Sequence, residues 1–159
     1  ILGEIRVSMV RGNAAEMGIL GGLGGEVRGV DSRSVVVDPQ VLAPTVARRF
    51  ACVAAVTGKT DYVSDGSRLA KVENGHQLLT CVTGTGCMAT AMVGAFAAVA
   101  NDHLWAATAA LACYGVAAEV AATECRGPGS FQVALMDNIY NLTPAVVHQR
   151  ARVSIEGCA

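Results

Sequence analysis

The residues best suited to chemistry lie in one run, Leu79-Thr80-Cys81-Val82-Thr83-Gly84-Thr85-Gly86-Cys87. An apolar strand is expected to lead into the two glycines, and an Ala-rich helix to open directly after them. Backbone N–H groups at a helix start have no partner inside the helix and sit at the positive end of its dipole. Gly84, Thr85, Gly86 and Cys87 therefore form a candidate anion hole suited to a phosphate. The plain alternative is a Gly-rich turn with no ligand. A dinucleotide turn also matches the pattern of Gly84-Thr85-Gly86-Cys87-Met88-Ala89. That fold needs a strand after the helix with an acidic residue roughly 20 positions on. Two Ala-rich helices follow in succession here, so the context fails. A P-loop fails too, because no Gly-Lys-Ser/Thr follows four residues after a glycine.

Further polar candidates stand where elements begin and end. Asn13 and Glu16 are three residues apart, the spacing of a helix capping box, and that spacing also puts an amide and a carboxylate on one face. Arg11 offers a planar donor fork that matches phosphate oxygens, or a surface ion pair. Thr57 ends an apolar run at the edge where α/β sheets bind ligands, or simply forms a turn. His76, His103 and His148 are scattered. The six cysteines, at 52, 81, 87, 113, 125 and 158, show no CxxC pair and no Cys/His spacing for zinc. Four lie within apolar runs and read as small buried hydrophobes of a reducing compartment.

The elements that must position these residues can be read in outline. Residues 5–10 read as a short buried strand ending at Arg11-Gly12-Asn13. Residues 14–20 read as a helix capped by Asn13, stopped by Gly21-Gly22-Leu23-Gly24-Gly25. Asp38-Pro39 starts a helix running to about Phe50. Residues 51–56 form a continuous apolar run, as in a strand buried on both faces of a parallel sheet. Residues 61–64 and 68–72 read as strands about the Asp65-Gly66 turn. Residues 78–82 lead into the glycine turn, and helices follow over the stretch after Gly86 and from about Leu104 to Ala122. Gly127-Pro128-Gly129-Ser130 breaks the chain, with Ser130 capping a last helix to about Leu142. From Thr143 no pattern is evident. This order indicates an α/β layered fold, and no internal repeat is visible.

Composition sets the outer bounds. At 159 residues the chain fits one domain, residues 1–159, or a large piece of one. Hydrophobic residues make up 52% and charged residues 16%, ample for a core and far from disorder. The net charge of -1 leaves no basic field for nucleic acid, so no nucleic-acid partner is expected. The uncharged runs 88–100 and 104–118 fall short of the ~20 residues of a spanning helix and read as buried helices, so no membrane role is expected. No signal peptide is visible, and a chain starting at Ile1 directly before a strand is expected to be a fragment.

Six ordered blocks carry a family resemblance. Thr83-Gly84-Thr85-Gly86-Cys87 resembles the signature of hydroxyethylthiazole kinases, members of the ribokinase-like superfamily. Arg11-Gly12-Asn13-Ala14-Ala15-Glu16 resembles the family's RGNxxE segment, and Gly29-Val30-Asp31-Ser32 its GVDS turn. Residues 56–63 resemble its VTGxxDYV strand end. Asn74-Gly75-His76 with Leu78-Leu79 resembles its NGHxLL approach. Gly127-Pro128-Gly129-Ser130-Phe131 resembles its GPGSF turn, with Asp137, Tyr140 and Leu142 following. Two features depart: Cys81 stands where the family commonly has lysine, and the family's N-terminal half, which supplies part of the thiazole pocket, is missing.

The resemblance implies a ribokinase-like three-layer fold with a central, mainly parallel sheet flanked by helices. It implies ATP- and Mg²⁺-dependent phosphorylation of the hydroxyl of 4-methyl-5-(2-hydroxyethyl)thiazole in thiamine biosynthesis, by a cytoplasmic homotrimer with sites at subunit boundaries. In that reading Arg11 and Thr57 contact ATP, Glu16 with Asn13 organises Mg²⁺, and Gly84 lines the thiazole-alcohol site. Cys87 takes the catalytic place that most of the superfamily gives to aspartate. Phosphoryl transfer needs positioning more than a strong base, so a thiol can serve. Rival readings are a related kinase acting on a hydroxymethylpyrimidine, sugar or nucleoside, and a non-catalytic nucleotide-binding piece. The cysteine argues against the first, and the missing half keeps the second open.

Overall fold

The computed structural model describes residues 4–23 and 37–158. It divides into two compact units, Ile1–Ala70 with Ile155–Ala159, and Lys71–Ser154. Gly29-Val30-Asp31-Ser32, and the Gly24-Gly25 end of the glycine run, lie outside the described residues. Among those described, six helices and a mixed five-stranded sheet give an α/β fold.

In the first unit, β1 (Met9–Asn13) leads directly into α1 (Ala14–Gly21), and α2 (Pro39–Phe50) precedes β2 (Val53–Thr57). β3 (Asp61–Ser64) and β4 (Arg68–Val72) follow as a hairpin. β1 lies parallel to β2, from Met9 opposite Val53 to Asn13 opposite Thr57. β3 runs antiparallel to β2. The strand expected at residues 5–10 is thus displaced to Met9–Asn13, because pairing with β2 keeps Arg11 and Gly12 extended where local composition marks a stop. The parallel register puts Val10, Ala54 and Val56 on one face. They pack there with Met17 of α1 and Leu42, Ala43 and Val46 of α2, all fully buried. Arg11, Ala55 and Thr57 take the other face.

Both helices of this unit start as their sequences indicate. Asn13 Oδ1 accepts the Glu16 N–H at 2.9 Å while Glu16 Oε2 accepts the Asn13 N–H at 2.8 Å, a complete capping box. Asp38 accepts the Gln40 N–H at 2.9 Å ahead of Pro39. At the β3–β4 turn, Asp65 accepts the N–H groups of Ser67 and Arg68 at 2.9 and 2.7 Å.

In the second unit, a 3₁₀ turn (Gln77–Cys81) precedes α3 (Thr85–Ala97), α4 (His103–Glu124), α5 (Pro128–Tyr140) and α6 (Pro144–Arg150). The segment before the glycines is this 3₁₀ turn, not a strand. Local bonds curl it: His76 Nδ1 accepts the Leu78 N–H at 3.3 Å, and Thr80 Oγ1 donates to the Gln77 carbonyl at 2.8 Å. Ser130 is not the cap of α5. Pro128, whose missing N–H suits a first helical position, opens that helix after Gly127. Ser130 Oγ instead accepts the Arg126 N–H at 2.9 Å.

The tail also has structure, in α6 and then in β5 (Val153–Gly157), the last strand in the sheet order β1-β2-β3-β4-β5. α4 is long and apolar enough to cross a bilayer by length and composition, but 72% of its most apolar window is buried within the fold. That is the pattern of a core helix.

Candidate active site

In the first unit, two parallel strands end side by side. Arg11 and Thr57 share a face of the sheet, and Arg11 Nη2 donates to Thr57 Oγ1 at 2.5 Å. Thr57 Oγ1 donates in turn to the Gly12 carbonyl at 3.3 Å. The Nε of Arg11 is buried and has no hydrogen-bond partner among the described residues. A buried N–H of this kind costs about 1–3 kcal/mol until something accepts it. The arrangement leaves the guanidinium with donor capacity for an anion at the carboxyl ends of β1 and β2, the edge where open α/β sheets take ligands.

Asn13 and Glu16 sit at the same strand end, each engaged by the other's backbone. Among the described residues no group of three or more His, Cys, Asp or Glu could hold a metal. A single carboxylate with a neighbouring amide is too sparse for a protein cage. It fits Mg²⁺ of the kind that takes one or two carboxylates and fills its shell with phosphate oxygens and water.

Asp61 was not singled out by its sequence context. Its Oδ1 accepts the Gly58 N–H at 2.9 Å. Burial pushes its carboxyl up to about 6, against the pull of that hydrogen bond and of the Arg11 charge. An aspartate three residues past the glycine that ends a buried strand was the available signal.

The second unit holds the cysteine turn. Gly84 is the N-cap of α3 with φ 92°, a left-handed conformation that an L side chain resists although a Cβ would meet nothing within 4 Å. Among the described residues no side chain caps this helix or α5, whereas Asn13, Asp38, Asp102 and Thr143 cap α1, α2, α4 and α6. The first intrahelical bond runs from the Met88 N–H to the Gly84 carbonyl at 2.9 Å. Gly84, Thr85, Gly86 and Cys87 are therefore the four positions whose N–H groups precede the helical ladder, the same four expected to form the anion hole. Cys87 is exposed on the first turn. Thr85 braces the loop, its Oγ1 donating to the carbonyls of Leu79 at 2.7 Å and Val82 at 3.2 Å.

Other candidates fall outside this turn. His76 caps the 3₁₀ turn, with its ring 6.4 Å from that of buried Phe131. His103 begins α4 and His148 lies in α6. All six cysteines are free; Cys52 alone of them is buried, and Cys81 is exposed like Cys87.

Comparison with known proteins agrees with the motif blocks. Residues 1–145 match the model of the hydroxyethylthiazole kinase family. A hydroxyethylthiazole kinase of Desulforudis audaxviator is 54% identical over 153 residues, covering 96% of this chain and 56% of the relative. One from a Roseiflexus species is 53% identical, covering 99% and 58%. The structure of the hydroxyethylthiazole kinase protein from Pyrococcus horikoshii superposes with a TM-score of 0.79 at 41% identity, over 94% of this chain and 55% of that one. The chain spans a little over half the length of these relatives. It belongs to the hydroxyethylthiazole kinase family.

Proposed function

We propose that the protein transfers the γ-phosphoryl group of ATP to the primary hydroxyl of 4-methyl-5-(2-hydroxyethyl)thiazole, a step of thiamine biosynthesis and salvage. Family membership supports the reaction, and one observation carries the residue roles: α3 opens without a side-chain cap and with an exposed cysteine on its first turn.

Arg11 holds phosphate oxygens of ATP through its forked donors, and Thr57 orients that fork. Gly84 borders the thiazole alcohol, its missing side chain leaving room for the substrate. The alcohol oxygen attacks the γ-phosphorus as the bond to the bridging oxygen breaks, and that electron pair leaves with ADP. Cys87, reacting as its thiolate, takes the alcohol's proton on Sγ and ends as the thiol. The N–H groups of Gly84 through Cys87 meet negative charge on the phosphoryl oxygens as it develops, which is the main work a protein does in a loose phosphoryl transfer. Mg²⁺ bound with the nucleotide would be held by Glu16 beside Asn13 and would neutralise phosphate charge.

The working form in this reading is a cytoplasmic homotrimer, with residues 1–159 forming part of one ribokinase-like domain. Val133, Met136 and Tyr140 of α5 are 63%, 55% and 89% exposed, apolar surface of the sort that subunits cover. Six free cysteines suit a reducing compartment.

The test is incubation of the purified protein with ATP, Mg²⁺ and the thiazole alcohol, followed by mass spectrometry. The reading expects a product heavier by one phosphate. ATP binding without that product would favour a nucleotide-binding role instead.

A further inference from the structure

The second unit contains a set of contacts that the roles above leave unused, and they hold both ends of the stretch leading to the cysteine turn. At its start, Asn74 is 5% exposed. Its Nδ2 donates to the Arg150 carbonyl at 2.9 Å and to the two carboxylate oxygens of Glu119 at 3.2 and 3.4 Å. Its Oδ1 accepts the Arg152 N–H at 2.7 Å. Glu119, on α4, also accepts the Gly75 N–H at 2.9 Å. The Arg152 guanidinium closes the group, with Nη2 2.6 Å from Glu119 Oε1 and also donating to the Glu73 carbonyl at 2.7 Å. One helical turn before Glu119, Gly115 lies so near Asn74 that an added Cβ would stand 2.7 Å from its carbonyl carbon and oxygen. At the far end, buried Tyr114 donates its hydroxyl to the Thr85 carbonyl at 2.9 Å.

We propose that Glu119 and Tyr114 of α4 are positioning residues for the Gly84–Cys87 turn, with Arg152 from the C-terminal tail locking Glu119 in place. Its catalytic consequence rests on the kinase reading; its structural content does not. The reasoning starts from the missing cap. No capping side chain takes up the N–H groups of this helix start, and the Thr85 hydroxyl ties it only to the short segment just before it, yet donors stabilise a transferring phosphoryl only when held within a fraction of an ångström. The Tyr114 bond reaches the first residue of α3, and the Asn74–Glu119–Arg152 clamp anchors the segment that delivers it. A carboxylate that gathers an amide, a backbone N–H and a guanidinium is a firm post through the number of its bonds, although the Arg152 end, with its side chain 52% exposed, is screened by water.

The experiment uses the full chain with Tyr114→Phe, Glu119→Gln, Arg152→Ala and the conservative Arg152→Lys. Two readouts need no substrate: hydrogen exchange at the Met88 and Ala89 amides, and the iodoacetamide alkylation rate of Cys87 followed by peptide mass spectrometry. Tyr114→Phe and Arg152→Ala are expected to speed exchange at Met88 and Ala89 roughly tenfold and to change Cys87 alkylation by a similar factor. Exchange over residues 104–110 of α4 should stay at the parent rate, and Arg152→Lys should recover most of the effect. In the kinase assay, turnover should drop roughly tenfold with KM for ATP held.

Tyr114→Phe removes one oxygen only, so it decides the matter should Glu119→Gln fail to fold. Exchange and alkylation within twofold of the parent overturn the proposal. So does faster exchange spread evenly through α4, because the contacts would then support the fold and not the turn. A chain whose turn loosens as expected but which never phosphorylates the thiazole keeps the positioning role and loses the kinase reading. One that phosphorylates it with a turn indifferent to all four variants does the reverse.

Discussion

The guanidinium of Arg11 reaches across from β1 to the hydroxyl of Thr57 at the end of β2, a 2.5 Å bond between residues 46 positions apart. Because the Thr57 hydroxyl donates its own hydrogen bond to the Gly12 carbonyl, the pair is oriented in one sense, with guanidinium as donor and hydroxyl as acceptor. Among the described residues Arg11 Nε has no partner.

That geometry sets the first prediction. Arg11→Lys keeps the charge but loses the fork, and should raise KM for ATP about tenfold, the worth of one charge-assisted hydrogen bond. Thr57→Val keeps the volume but removes the acceptor, and should raise it roughly threefold. Steady-state kinetics with ATP varied measure both, and an unchanged KM in the lysine variant would remove Arg11 from the nucleotide site.

Asp61 predicts a pH effect on stability. Its folded pKa of about 6 lies above the ordinary 3.8, because burial penalises the carboxylate. Its contribution is thus fully present below the ordinary value and is lost as pH rises through about 6. Asp61→Asn should therefore gain in Tm relative to the parent between about pH 4 and pH 7. A constant difference across that window would show that Asp61 does not titrate there.

Glu119 should act in the opposite direction. Burial raises its pKa, but the Arg152, Gly75 and Asn74 hydrogen bonds and the Arg152 charge together hold it below its ordinary 4.5. Its stabilisation is present above that value and fades as pH falls through the lower folded pKa. Glu119→Gln should flatten the acid side of the stability curve, read by denaturation in a series of acidic buffers.

Gly115 tests the close approach on α4. A methyl group there would collide with the backbone of Asn74, not with a side chain free to swing away. Gly115→Ala should cost about 1–3 kcal/mol by overpacking, despite alanine's better helix propensity. Thermal unfolding measures it, and a stabilised variant would mean the loop gives way easily.

What could be read from sequence followed the range of the interaction responsible. Asn13 with Glu16, Asp38 with Pro39, and Asp65 with Gly66 act within three or four residues, and α1, α2 and the β3–β4 hairpin lie where those signals put them. β1 was displaced because its extent is set by β2, more than 40 residues away. The strand expected before the glycines became a 3₁₀ turn through hydroxyl and imidazole bonds that compete with extended backbone. The tail looked patternless although Thr143-Pro144 is a readable helix start. Its placement depends on Asn74 meeting Arg152 at a separation of 78 residues. The cysteine turn was legible because glycine, helix start and thiol fall within four positions. Tyr114 and Glu119 were not, since each matters only through a partner that folding brings near; Asp61 has a local partner in the Gly58 N–H, but the burial that raises its pKa is set by the fold.

The most direct measurement compares thiazole phosphorylation by the parent, Cys87→Ala and Cys87→Asp under identical conditions. If Cys87 receives the alcohol's proton above the Gly84–Cys87 donors, the alanine variant should lose about a hundredfold in turnover, while the aspartate variant keeps or exceeds the parent rate. An alanine variant that turns over as fast as the parent would contradict the account.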